Sequence, residues 1–243
     1  MDKIPGILMY AAFGCCGALL LAPLIYRFGL VSLGPAFSLL SASLIGGVTV
    51  ALASVLGSII FRIKKLRGGP IMRSAMLVAL VPVALVGVQI FMARGYPPIH
   101  DISTNWDDPP QFVEVLSLRA PTDNSLEPDE KVIAQQRESY PDLSGSIFIF
   151  ETPEVTLEMA REVLARMGLT EVAYDPEAGR IEAVKRSLWF GFRDDFVVRV
   201  RPLGPDSNVD IRSASRVGVS DLGVNAARMS EFKERLINLS QNR

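Results

Sequence analysis

The chain has 243 residues, 49% of them hydrophobic and 21% charged, with a formal net charge of −1. Charge is unevenly spread: residues 1–93 hold seven Lys/Arg and a single acid, Asp2, whereas residues 94–243 hold 18 Lys/Arg and 25 Asp/Glu, net −7. Net acidity in the polar part excludes a nucleic-acid partner, which needs a basic footprint. The lack of cysteine there excludes disulfides, a thiol nucleophile and a thiolate zinc site.

The apolar part, residues 1–93, reads as three membrane spans. The first covers about 4–25 and is too long for a signal-peptide core, so it is expected to be retained. Its vicinal Cys15 and Cys16 read as small packing residues. The second lies within 31–61, where Gly47/Ala51 and Ala53/Gly57 form small-xxx-small pairs suited to close helix approach. The third covers 74–92, with Pro82 expected to kink it. No span interior holds Asp, Glu, Lys, Arg or His, so the helices read as an anchor rather than a transport path. The loop 62–73 carries Arg62, Lys64, Lys65, Arg67 and Arg73 and no acid, against Arg27 alone in the opposite loop. In a bacterial inner membrane the positive-inside rule puts that loop and the N-terminus in the cytoplasm, and residues 94–243 in the periplasm. The bilayer itself is then a partner, and the basic loop also suits anionic headgroups.

The second part, residues 94–243, opens on a proline-rich lead-in through residue 123. Residues 112–118 read as a short strand, 128–138 as a short helix, and 146–151 as a strand rich in β-branched and aromatic residues. Thr152-Pro153-Glu154 starts a helix: cap, proline at the first position, acid on the dipole. Val155, Met159, Val163 and Met167 give it a core-facing stripe, and Gly168 ends it. Four strands are expected over 170–174, 180–188, 196–201 and 208–213, then a last helix from Ser220/Asp221 to about Leu239. Short turns imply antiparallel neighbours. The fold class is therefore α+β: a three-helix transmembrane region followed by a mainly antiparallel sheet with two principal helices on one face.

Three stretches carry a resemblance. They are Pro97-Pro98-Ile99-His100-Asp101-Ile102-Ser103-Thr104, Trp189-Phe190-Gly191-Phe192-Arg193-Asp194-Asp195, and the long run from Ser215-Arg216-Val217-Gly218-Val219-Ser220-Asp221 through Leu222-Gly223-Val224-Asn225-Ala226-Ala227-Arg228. Over residues 97–232 the chain resembles the bacterial family known as domain of unknown function 1499. The departures, such as Val219 and Val224, are conservative. The family implies no reaction, cofactor or catalytic residue.

Two constellations are site candidates. His100, the only histidine, with Asp101, Asp107 and Asp108 offers one imidazole and three carboxylates to a divalent metal; the competing reading is a loop of Asx turns. The 213–228 stretch, with Arg212 and Arg216 before a helix start and Ser220, Asp221, Asn225 and Arg228 on it, offers a pocket for an anionic ligand. The competing reading is structural, with Asp221 capping the helix and pairing Arg216. Trp189, beside Phe190 and Phe192, is either an exposed tip that touches membrane or an apolar ligand, or the end of a core. Arg199 and Arg201 read as a solvated sheet face. The leading function is a membrane-anchored periplasmic domain binding an envelope component or partner protein. The alternative is an envelope enzyme, a metal-assisted hydrolase using His100 and its neighbouring carboxylates.

Overall fold

A computed structural model describes residues 3–242 and divides them into two units. The first comprises residues up to Gly95 together with Leu188–Gly191. Its helices are α1 (Ile4–Arg27), α2 (Leu33–Ile63) and α3 (Gly69–Ala93), each long and apolar enough to cross a membrane. Their outward residues, such as Leu20, Leu52 and Leu77, are exposed leucines that a bilayer would cover.

Small residues set the helix contacts. A Cβ on Gly47 would meet the Ala79 carbonyl oxygen at 2.7 Å and Pro82 Cγ at 3.1 Å, so glycine lets α2 lie against α3 where Pro82 is buried. At the cysteine pair, the Ser43 hydroxyl donates to the Cys15 backbone carbonyl at 2.7 Å, and the Cys16 thiol donates to the Val78 carbonyl at 3.4 Å. α3 starts five residues before the predicted 74, because Gly68, the residue just ahead of it, turns the chain with a φ of 124° and Pro70 suits a first helical turn. The basic stretch is therefore a tight turn, with Arg62 and Arg73 on the helices that flank it.

The second unit, Tyr96–Ser187 with Phe192–Arg243, is an antiparallel sheet with helices. Its strands are β1 (Asp101–Ser103), β2 (Ile147–Ile149), β3 (Thr170–Asp175), β4 (Arg180–Arg186), β5 (Arg193–Leu203) and β6 (Asp206–Ser215). The order is β1-β6-β5-β4-β3. Two short strands share the outer edge of β6: β1 pairs residues 212–214 and β2 pairs residues 207–209. α5 (Pro153–Arg166) and α6 (Val224–Gln241) cover one face, burying Leu157, Met159, Phe232 and Leu236 against Phe196, Val198 and Ile211. The Thr152 hydroxyl accepts from the Val155 N–H, the cap expected from its sequence. α4 (Glu130–Ser139) matches the short helix expected over 128–138.

Two local readings change. Residues 112–118 do not form a strand: Glu114–Leu118 is a 3-10 helix, because the buried Glu182 carboxylate accepts the N–H groups of Val113, Glu114 and Val115 at 3.0, 3.2 and 2.9 Å. A side chain, rather than a neighbouring strand, satisfies that backbone. The sheet face opposite the helices is covered as well. Phe112, Val115 and Leu126 pack there on Val197, Val184 and Ala214 in a second, smaller core.

Candidate functional site

Alternation along β5 and β6 sends every second side chain to the face opposite α5 and α6, and there the charges are paired. Arg212 is fully buried, donating to both Asp101 carboxylate oxygens at 3.0 and 2.6 Å, with its guanidinium 5.3 Å from the Trp106 ring and 5.5 Å from that of Phe112. Arg216 grips Asp195 in a fork, Nε at 2.9 Å and Nη2 at 2.7 Å from Oδ1, and Arg119 donates to the same carboxylate. Arg199 and Arg201 are not a free solvated face. Both hold the buried Asp210 carboxylate, at 2.8 and 2.7 Å, and both reach Asp108, whose carboxyl they keep below the ordinary aspartate range. Fork geometry and charge assistance make such pairs strong where water is excluded.

On the helix side, the start of α6 docks on β6 through a second network. Asp221 does not pair Arg216. Its two oxygens accept the N–H groups of Gly223 and Asn225, each at 2.8 Å, capping the helix. Burial pushes the Asp221 carboxyl above its ordinary range, the Asp194 charge adds to this, and the two N–H donors and Arg228 oppose it. The helix begins three residues after Asp221 because Leu222 and Gly223 take left-handed conformations, φ 56° and 77°. At Gly223 a Cβ would stand 2.5 Å from the Tyr96 ring, so no side chain fits. Asn225 is fully buried: its Oδ1 accepts from the Ser213 hydroxyl at 2.7 Å and from Arg228 at 2.6 Å, and its Nδ2 donates to Ser215 Oγ at 3.0 Å and the His100 carbonyl at 3.2 Å. Arg228 also pairs Asp194 at 2.7 Å, and the Ser220 hydroxyl donates to the Pro97 carbonyl at 3.1 Å. The structure thus brings Asn225 and Arg228 together through Ser213, with Asp221 one turn away, and sends Arg212 and Arg216 to the other face. All four charged groups are engaged by protein partners. Trp189 lies in the Leu188–Gly191 segment, its ring 5.9 Å from that of Phe190.

The His100 constellation is dispersed. Asp101 serves Arg212, Asp108 serves Arg199 and Arg201, and Asp107 is exposed with Arg137 at 3.5 Å. Among the described residues no group of three His, Cys, Asp or Glu side chains is placed to hold a metal ion. These four residues therefore do not fit a divalent cation.

His100 instead borders a cavity of about 310 Å³, shared with Asp101, Trp106, Ser125, Glu127 and Asp129. Its Nδ1 is buried without a hydrogen-bond partner. The wall holds the carboxylates of Glu127 and Asp129, that of Asp101 already paired with Arg212, an imidazole and an indole, and no lysine or arginine lines it. Asp129 caps α4 by accepting from the Lys131 N–H at 2.8 Å, which fixes one side of the cavity. Gln136 fixes another: its Oε1 accepts from the Ser103 N–H at 3.0 Å and the Trp106 indole at 2.5 Å, and its Nε2 donates to the Ser103 carbonyl at 2.7 Å. Gln136 thus serves the outer edge of β1 as a neighbouring strand would, and it orients Trp106. Sequence reading passed over Gln136, Glu127 and Asp129. The only signal was Asp129 ahead of a helical run, since a lone glutamine in a polar helix announces nothing.

One solved structure, that of TTHA0849 from Thermus thermophilus, aligns over 40% of this chain and 97% of its own at 15% identity, with a TM-score of 0.26. No curated protein matches. The sequence model described as "Protein of unknown function (DUF1499)" matches residues 101–236, from the first residue of β1 into α6, which is most of the sheet unit and more than half of the chain. The chain belongs to that family.

Proposed function

We propose that this is a membrane-tethered binding protein whose domain lies in the periplasm and takes a cationic, ammonium-bearing group of an envelope component into the His100 cavity. The observation that carries this reading is the buried, unpartnered Nδ1 of His100 beside a cavity whose polar wall contains carboxylates and no basic side chain. A buried ring nitrogen without a partner costs free energy that a hydrogen-bonding group on the ligand returns. The wall favours a cation and disfavours the anionic ligand that the 213–228 stretch suggests in sequence, since the guanidiniums of that stretch are already neutralised. The periplasmic placement is supported by the five basic residues between 62 and 73 against Arg27 alone in the other loop.

Two experiments test this. Calorimetry on the full chain in nanodiscs, with ethanolamine and 1,4-diaminobutane as probes, should give saturable binding that Glu127→Gln weakens about tenfold and His100→Ala weakens further. No saturable binding of either amine, or equal binding by wild type and both variants, refutes the cavity. A reporter fused after residue 243 should be active in the periplasm and one near residue 68 in the cytoplasm; the opposite pattern overturns the placement.

A further inference from the structure

We propose that the turn between α2 and α3 is a binding site for the phosphate of an anionic phospholipid headgroup. The turn encloses a cavity of about 590 Å³, the right scale for a headgroup. Arg62, Arg67 and Arg73 line it, and the described residues of this unit contain no Asp or Glu to neutralise them. Lys64 and Lys65 lie in the same turn outside the cavity lining. Clustered guanidiniums without a carboxylate repel one another, and a phosphate placed among them relieves that repulsion through forked hydrogen bonds.

Ser58 supplies an independent sign. Ser58 lines the cavity, and its hydroxyl oxygen is buried without a hydrogen-bond partner in the protein. The first turn of α3 adds donors of the same polarity, for it carries no side-chain cap and no acid. The remaining wall is apolar, with Ile59, Leu66 and Pro70. Apolar wall beside cationic wall fits a ligand that is itself half phosphate and half hydrocarbon, which favours a lipid over a free phosphate. The place agrees, because the ends of membrane spans lie at headgroup depth.

The cavity is held open by packing. The Leu66 N–H donates to the Phe61 carbonyl at 2.8 Å, and Lys65 turns the chain with φ 52°. A Cβ on Gly68 would stand 2.7 Å from Pro5 Cγ, so glycine is what brings the turn against α1. A preformed site spends little of its binding energy on ordering loop residues.

The site is tested with the full chain in nanodiscs of neutral lipid doped with one part in ten of an anionic phospholipid, followed by native mass spectrometry. Wild type should retain the anionic lipid. Arg67→Gln/Arg73→Gln should lower retention at least tenfold, whereas Lys64→Gln/Lys65→Gln, which removes the same charge, should lower it less than twofold. Single Arg67→Gln and Arg73→Gln variants, expected to lower retention at least threefold each, decide the question if the double variant fails to fold. Equal losses in the arginine and lysine pairs would reduce the effect to unspecific charge and overturn the site. Absence of retained anionic lipid in wild type would overturn it too. Displacement of the lipid by millimolar inorganic phosphate or glycerol phosphate would overturn the lipid assignment.

Discussion

Replacing Asp195 by alanine tests whether the face opposite the helices is held by charge pairing. The carboxylate is fully buried and serves two guanidiniums: Arg216 in a fork, with contacts from 2.7 to 3.2 Å, and Arg119 through one nitrogen. Asp195→Ala strands both cations where water reaches neither freely, and removing one partner of a buried pair costs about 3–5 kcal/mol. Each arginine keeps one carbonyl acceptor, Leu118 for Arg216 and Asn124 for Arg119, so the loss should fall near the middle of that range, about 4 kcal/mol. Arg216→Ala leaves Asp195 a single cation and should cost about 2–3 kcal/mol, while Arg119→Ala spares the fork and should cost about 1–2 kcal/mol. For a domain of this size 1 kcal/mol moves the midpoint about 2–4 °C, so Asp195→Ala should melt about 8–16 °C lower. Calorimetric melts of a fragment beginning at Tyr96 would give the ranking. The reasoning is refuted if Arg119→Ala costs as much as Asp195→Ala, or if Asp195→Ala costs under about 1 kcal/mol.

That fragment should itself unfold cooperatively without detergent and independently of reducing agent, since it has its own core and no cysteine; a non-cooperative melt would show that it needs the membrane helices. Asp221→Ala should cost about 1–2 kcal/mol through loss of two capping bonds, and should add to Arg216→Ala within about 0.5 kcal/mol because the two residues serve opposite faces; strong coupling in a denaturant double-mutant cycle would contradict the separation. Because burial holds the Asp221 carboxyl above its ordinary range, its contribution to stability is full below the unfolded aspartate pKa and is lost as pH rises through the folded value. The cost of Asp221→Ala should therefore be larger at pH 4 than at pH 7, and urea titrations that give the reverse would refute the direction.

Local chemistry explains what was legible in the sequence. Thr152-Pro153-Glu154 and the stripe from Val155 to Met167 carry their own instructions, so α5 lies where expected. Along β5 the alternation of Phe196, Val198 and Val200 with Val197, Arg199 and Arg201 matches the helix-facing core. Residues 112–118 misled because their β-branched and aromatic content suits a strand, while the deciding group, Glu182, lies about seventy residues away. β1 was invisible for a related reason: three residues have no period, and their partners are in β6 and α4. Arg212 and Arg216 were picked out as candidate ligand groups. A sequence shows that such residues are present, but not that Asp101 and Asp195 have already claimed them.

The shared edge of β6 has a consequence for how the domain comes together. β3 to β6 are joined by short connections, so that meander can form from neighbouring chain alone. β1 leaves the ribosome soon after α3, yet Asp101 must wait for Ala214, more than a hundred residues later, before it has a strand to join. Until then, Asp101, Thr104 and Trp106 lack partners that settle them in the finished domain: Arg212 for the first and third, and Ile211 for the second. The strand made first is therefore among the last to zip, and the walls of the His100 cavity that rest on β1 should mature only in the closing step of folding.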